Sequence, residues 1–262
     1  MTSPRAVILA AGFGSRLRPL TDTAPKCLTP LAGESLLSRQ LRTLAAEGVD
    51  DISIVAGHLE DRIQLPGLKK VLNPDYERTN MVSSLFCARH LLDGSRDLLI
   101  CYGDIVYQRT VLAALLAVDA PVAVAVDRGW RDLWSLRMDD PLSDAETLKI
   151  GPAGELVELG RKPQSYADIE GQYIGLIKLR ADAQRGIVDL YDKLDPVGPH
   201  DGRDKANMFM TSFIQAMINA GIEVRPGFFN RGWLEIDSLA DYEAYNGLAQ
   251  SGELLAFYDD RR

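Results

Sequence analysis

At 262 residues, with 46% hydrophobic and 25% charged side chains, the chain has a globular composition and can bury a sizeable core. It holds no run of eighteen apolar residues of the kind that spans a bilayer. Its 29 basic and 37 acidic residues give a net charge of −8, which argues against broad nucleic-acid binding and requires any anionic substrate to meet a locally positive site. The opening Met1-Thr2-Ser3-Pro4-Arg5 lacks an apolar signal core, and Cys27, Cys87 and Cys101 have neither an even count nor a metal-ligand spacing. Reduced thiols and a cytoplasmic location are the expectation.

In chain order, Ala6-Val7-Ile8-Leu9-Ala10 reads as a strand buried on both faces that gives way to the tight loop Ala11-Gly12-Phe13-Gly14. Leu37, Leu41 and Leu44 recur at helical spacing, Gly48 stops that helix, and Ile52–Ala56 is the next strand. Further strands are expected near Lys70–Leu72, Leu98–Tyr102 and Val122–Val126, with helices around Met81–Leu92 and Thr110–Val118. This alternation predicts right-handed crossovers and a three-layer α/β/α sandwich on a mostly parallel, mixed sheet. Residues 127–146 crowd charges around Trp130 and Trp134 and read as an insertion or lid in a single domain, 1–262. Thr147–Glu158 and Gly171–Leu179 look like paired strands. Helical stretches follow at Asp182–Leu194 and Lys205–Ala220, then strands at Ile222–Arg225 and Trp233–Ile236 and a last helix from Leu239.

The most informative stretch runs Leu9-Ala10-Ala11-Gly12-Phe13-Gly14-Ser15-Arg16-Leu17-Arg18-Pro19-Leu20-Thr21 and then Pro25-Lys26. Two glycines one residue apart let the backbone turn with positive φ and aim several N–H groups at one point, as phosphate cradles do. Arg16, Arg18 and Lys26 add three cations within eleven positions, a density suited to the roughly four negative charges of a triphosphate. Strict dinucleotide and Walker patterns are both absent. A plain glycine turn with solvated arginines is the alternative. Asp104 follows the strand Leu98–Tyr102 and Gly103, where open α/β sheets bind ligands, although an Asx turn would also place an aspartate there. Glu235 and Asp237 share a face of their strand, so either can point to a metal; a plain N-cap on the last helix is the alternative role for Asp237.

The run from Leu9 to Thr21 with Pro25-Lys26 resembles the signature of the sugar-phosphate nucleotidyltransferase superfamily. That resemblance implies a Rossmann-like fold, Leu9, Ala10, Ala11, Gly12, Gly14, Ser15, Arg16, Lys26, Asn80, Ser84 and Gly103 at a nucleoside triphosphate, and Arg16, Lys26 and Asp104 as catalytic residues. It also implies Mg²⁺ on Asp104 and Asp237. A phosphate acceptor with a second pKa of about 6 is already dianionic, so no general base is needed, and His58, His90 and His200 read as structural or surface residues.

Lys162 of Arg161-Lys162-Pro163 resembles the element that holds the acceptor phosphate in that superfamily, and Glu170-Gly171-Gln172-Tyr173-Ile174-Gly175 matches the position of its glycine-containing acceptor strand, whose polar side chains, Glu170 and Tyr173 among them, are candidates for recognising the acceptor. Where sugar-directed members carry a Leu-Gly-Thr-Ala type segment, this chain has Asn73-Pro74-Asp75-Tyr76, then Asn80 and Ser84-Leu85, which is similar to bacterial phosphocholine and phosphonate cytidylyltransferases. The implied partners are CTP and a small phosphorylated non-sugar acceptor, with no nucleic acid or membrane and with a homodimer left open. A sugar-1-phosphate enzyme using UTP or dTTP is the alternative. Trp130, Trp134, Tyr173, Phe228 and Trp233 are available to a trimethylammonium group, and Asp139, Asp140, Asp144 and Glu146 to a primary ammonium.

Overall fold

The structure is a computed structural model that describes residues 3–259 and Arg261; Met1 and Thr2 of the leader reading lie outside the described residues. The first apolar run forms β1 (Arg5–Ala10), with Ala6 and Ile8 facing one core and Val7 and Leu9 the other. That two-sided burial is what a strand in the middle of a covered sheet requires. Around it lie β4 (Ile52–Ala56), β5 (Lys69–Leu72), β6 (Leu98–Tyr102), β8 (Val122–Asp127), β11 (Gln172–Leu179) and β12 (Val224–Phe229), in the order β12-β8-β11-β6-β1-β4-β5. Only β11 runs antiparallel to its neighbours, so the sheet is mixed and mostly parallel.

Helices cover both faces. One core contains side chains of α1 (Leu36–Ala46), α3 (Arg109–Leu116), α4 (Trp130–Arg137) and α7 (Leu239–Ser251); the other contains side chains of α2 (Met81–Cys87), α5 (Gln184–Lys193) and α6 (Met210–Asn219). In α1 the Ser35 hydroxyl accepts from the Ser38 N–H at 3.1 Å, a cap contributing about 1 kcal/mol. Leu36, Leu37 and Leu44 are fully buried, and each contributes about 1.5–3 kcal/mol. Packing therefore outweighs capping in fixing this helix. No helix among the described residues is long and apolar enough to cross a membrane.

The expected pairing of Thr147–Glu158 with Gly171–Leu179 is not what forms. The first stretch folds back on itself at Gly151-Pro152-Ala153-Gly154, pairing β9 (Leu148–Ile150) with β10 (Leu156–Leu159), because a Pro-Gly turn inside an apolar run closes a local hairpin. The second stretch, buried along nearly its whole length, becomes β11 between β8 and β6. Two small pairings also escaped the sequence: β2 (Pro30–Leu31) with β3 (Glu34–Ser35), and β7 (Ile105–Tyr107) with β13 (Trp233–Glu235).

Residues 127–146 begin with Asp127, which closes β8, and continue through α4 to a short 3-10 turn at Pro141–Ser143. Trp130 and Trp134 share a face of α4, with ring centroids 5.7 Å apart, and both are buried.

In β11 the register against β8 shifts between Tyr173 and Ile177, and Gly175 between them has φ +81°. A Cβ there would stand 2.3 Å from Cδ2 of Tyr102. Gly175→Ala is expected to destabilise by about 1–3 kcal/mol, at roughly 2–4 °C of melting temperature per kcal/mol. An unchanged thermal denaturation curve would show that Tyr102 yields without cost.

Candidate active site

From β1 the chain proceeds outward to β4 and β5, then returns to the other side of β1 as β6. The carboxyl ends of β1 and β6 thus flank the point where the sheet changes direction, the crevice where open α/β sheets bind ligands. The Gly103 N–H donates to Leu9 O at 2.9 Å and ties these ends together. A cleft with two arms opens there, one of about 260 Å³ and one of about 200 Å³, joined at Arg16, Met81, Tyr102 and Asp237.

All eleven residues expected at the nucleotide line the larger arm: Leu9, Ala10, Ala11, Gly12, Gly14, Ser15, Arg16, Lys26, Asn80, Ser84 and Gly103. The two loop glycines differ from the reading that gave both a positive φ. Gly14 adopts φ +61°, and a Cβ on it would press Thr21 and Lys26 at 3.0 and 3.1 Å. Gly12 is not in that region; a Cβ on it would meet nothing within 4 Å, so its role is to leave the wall open. Of the three cations, Arg16 and Lys26 line the cleft, whereas Arg18 pairs with Asp22 at 3.3 Å. His58 stays outside, its Nε2 3.2 Å from Thr21 O and its ring against Phe13. It braces the loop.

The junction holds an ion network drawn from three distant parts of the chain. The Lys26 ammonium donates to Asp104 Oδ2 at 2.7 Å and to Asp237 Oδ1 at 2.6 Å, and Arg16 Nη1 lies 2.6 Å from Asp237 Oδ2. Pairing of β13 with β7, continued by the bond from Ile236 N–H to Asp104 O at 3.0 Å, brings Asp237 beside Asp104. Burial alone would discharge Lys26, but Asp104, Asp237 and Glu235 outweigh it and raise its pKa above the ordinary lysine value. Asp237 does not cap α7. Ser238 does, accepting from Asp241 N–H at 3.2 Å in a capping box.

Burial pushes the Glu235 carboxyl up to about 7; Arg137, whose Nη1 donates to it at 2.8 Å, opposes that rise, while Asp104 and Asp237 add to it. Burial also pushes the Cys27 thiol up to about 12, so this cysteine in the cleft wall offers no thiolate nucleophile.

Asp104 Oδ1 is buried with no hydrogen-bond partner among the described residues. No group of three or more His, Cys, Asp or Glu gathers as a metal cluster among the described residues. Two carboxylates, one with a bare oxygen, nonetheless suit Mg²⁺, which takes one or two protein carboxylates and completes its octahedron with substrate phosphates and water.

The smaller arm is lined by Trp134, Tyr173 and Trp233, three of the residues that the sequence reading assigned to an acceptor, and by Asp144 and Glu146. Lys162 and Glu170 are elsewhere. The Lys162 ammonium donates to Leu142 O at 2.6 Å and to Ser143 O, satisfying carbonyls of the 3-10 turn, and Glu170 accepts from Ile150 N–H at 3.1 Å. Trp130 packs behind Trp134 and against Tyr166, and Phe228 lies under the Arg128 guanidinium, 3.7 Å from its centre. Gln172, one of the polar side chains of the strand expected at the acceptor, lines the smaller arm; sequence reasoning missed Tyr76, Thr79 and Cys27 in the larger arm, and Phe209, Met210 and Thr211 in the smaller. Arg137, almost fully buried behind Glu235 and Asp241, gave no signal beyond one basic residue in an aromatic helix.

Comparison with known proteins follows the same lines. The MobA-like NTP transferase domain matches residues 6–194. The chain is 38% identical, over 91% of its length and 97% of the relative's, to the CTP:phosphoglutamine cytidylyltransferase of Campylobacter jejuni. It is 40% identical over 49% of its length to 22% of the CMP-5'-(3-aminopropyl)phosphonate synthase of Streptomyces rubellomurinus. Its fold superposes on the CTP:phosphocholine cytidylyltransferase structure from Streptococcus pneumoniae with a TM-score of 0.69 at 19% identity, over 95% of this chain and 100% of that one. With a glycine loop, two converging cations and a switch-point cleft behind the match, this nucleotidyltransferase belongs to the MobA-like NTP transferase family.

Proposed function

We propose that the protein is a Mg²⁺-dependent cytidylyltransferase that transfers CMP from CTP to a small non-sugar phosphate or phosphonate and releases pyrophosphate. The observation that carries this reading is the convergence of Lys26, Asp104 and Asp237, which lie 78 and 211 residues apart from the lysine, on the junction of the two arms. The choice of CTP draws on the relatives named above.

In this reading the triphosphate lies along the Gly12–Arg16 loop and the acceptor enters by the smaller arm. An oxygen of the dianionic acceptor attacks the α-phosphorus, a new P–O bond forms, the α–β bridge breaks, and pyrophosphate leaves with the electron pair. The barrier is the approach of two anions, so positioned positive charge is what the protein must supply. Lys26 and Arg16 hold that charge at the junction. Asp104 and Asp237 would hold Mg²⁺, which supplies Lewis-acid charge at phosphate oxygens when bound. No proton needs to be removed from the nucleophile.

Incubation with Mg²⁺, each of the four ribonucleoside triphosphates and a panel of phosphorylated acceptors, followed by pyrophosphate measurement, tests the reading. CTP with a non-sugar acceptor is expected to give turnover. Turnover only with UTP or dTTP and a hexose phosphate would replace it with the sugar-directed alternative.

A further inference from the structure

The smaller arm is acidic in an unusual way. Of its four carboxylates, Asp237 is paired with Lys26 and Arg16, and Glu235 with Arg137. Asp144 and Glu146 have no ion pair or side-chain hydrogen bond among the described residues. The Glu146 backbone is held at that wall: its N–H donates to Gln172 Oε1 at 3.2 Å, and Gln172 Nε2 donates back to Glu146 O at 2.7 Å. Gln172 is itself buried. An uncompensated carboxyl in a half-buried wall costs stability, and burial, then Asp144, Glu235 and Asp201, push Glu146 up to about 7.

A second, independent feature marks the same place. Trp134 is 4% exposed and lines the arm, and its Nε1 is buried with no partner among the described residues. A ligand that brings a cation and an acceptor atom would satisfy both features. The phosphate end of such a ligand has its own cations, since Arg16 stands at the junction.

The aromatic walls separate two kinds of cation. A quaternary ammonium binds best over open ring faces. Here Trp134 is already engaged: Arg137 lies 5.2 Å from its ring centre, Trp130 meets it edge-on, and Trp233 is 5.9 Å away. Trp233 is anchored by Nε1 donating to Asp127 at 2.8 Å. Phe209 lies under the Arg203 guanidinium and Tyr102 meets Tyr173 edge-on, whereas Asp144 and Glu146 keep hydrogen-bond acceptor capacity in the arm. That capacity suits a cation that carries N–H groups.

We infer that the acceptor is a zwitterion whose N–H-bearing ammonium is received by Glu146, with Asp144 beside it, while its phosphoryl group faces Arg16 at the junction. This assignment rests on the proposed function, because it takes the smaller arm to be the acceptor site. Glu146 is then the residue that selects an aminated acceptor over a neutral one and over a trimethylated one of equal length.

The test compares phosphoethanolamine, 2-aminoethylphosphonate and phosphocholine as acceptors for the wild-type protein and for Glu146→Gln, with CTP and Mg²⁺. The wild type is expected to show a KM for the better primary-ammonium acceptor about 10-fold or more below that for phosphocholine. Glu146→Gln is expected to raise that KM about 10-fold or more and to lower kcat little, since a hydrogen bond to a charged group contributes about 1.5–3 kcal/mol and 1.4 kcal/mol is tenfold. Equal use of phosphocholine, or an unchanged KM in the variant, overturns the assignment. Calorimetric titration of the wild type with CTP alone tests the nucleotide reading separately, so its failure is distinguishable from failure here. Thermal denaturation at pH 8 guards against misfolding: Gln removes a buried charge, so the variant is expected to melt no lower than wild type.

Discussion

Replacing Lys26 by methionine is expected to lower the rate of CMP transfer on the order of 100-fold or more, the usual cost of deleting a preorganised charge aimed at developing negative charge. The geometry makes this the side chain whose loss costs most. Lys26 is the cation that bonds to both Asp104 and Asp237, and its side chain is only 16% exposed. Its pKa is raised over the ordinary lysine value, so its stabilising charge is fully present below about 10.5 and is lost only above that. The defect should therefore be constant between pH 6 and pH 9. In the absence of divalent cation the variant should also melt lower than wild type, because Asp104 keeps no cation partner and Asp237 keeps only Arg16. Added Mg²⁺ should recover more of that loss than it adds to the wild type. Near-normal turnover in the methionine variant would remove Lys26 from the chemistry.

Asp104→Asn is expected to lower the rate by a similar factor, on the order of 100-fold or more, with the opposite effect on the fold. Asp104, Asp237 and Glu235 are like charges close enough that Asp104 and Asp237 help to raise the Glu235 pKa to about 7, after burial and against Arg137. Removing one of the three relieves repulsion, so the amide variant should melt at or above the wild-type temperature without metal. It should also lose the Mg²⁺-dependent rise in melting temperature, because the amide takes away one of two anionic ligands. A variant that keeps both its rate and its metal response would show that Asp104 only anchors Lys26. Read together, the two substitutions separate the roles: the cation change weakens the metal-free fold, whereas the carboxylate change strengthens it.

The parts of the site legible in the sequence were those written within a few residues of one another. Gly12, Gly14, Arg16 and Lys26 could be read together because a turn and its cations must be local, and all four line the larger arm. Asp104 was visible as an acid just beyond a buried strand. Lys162 misled because Arg161-Lys162-Pro163 looks like a basic turn at a site, while its ammonium had nearer carbonyls to satisfy at Leu142 and Ser143. Arg137 stayed hidden because its partners, Glu235 and Asp241, are 98 and 104 residues away.

The sequence by itself determined the alternation of strands and helices, the two-sided burial of β1 and the chemistry of the first loop, because each depends on hydrophobic period and turn residues that act over one element. Tertiary structure alone decided that β11 enters the sheet antiparallel between β8 and β6, that Asp237 faces Lys26 while Ser238 caps α7, and that Glu146 lines the smaller arm with no counter-ion among the described residues. Each of these depends on which distant segments come to share a low-dielectric space, where the nearest opposite charge or hydrogen-bond partner fixes a side chain's role.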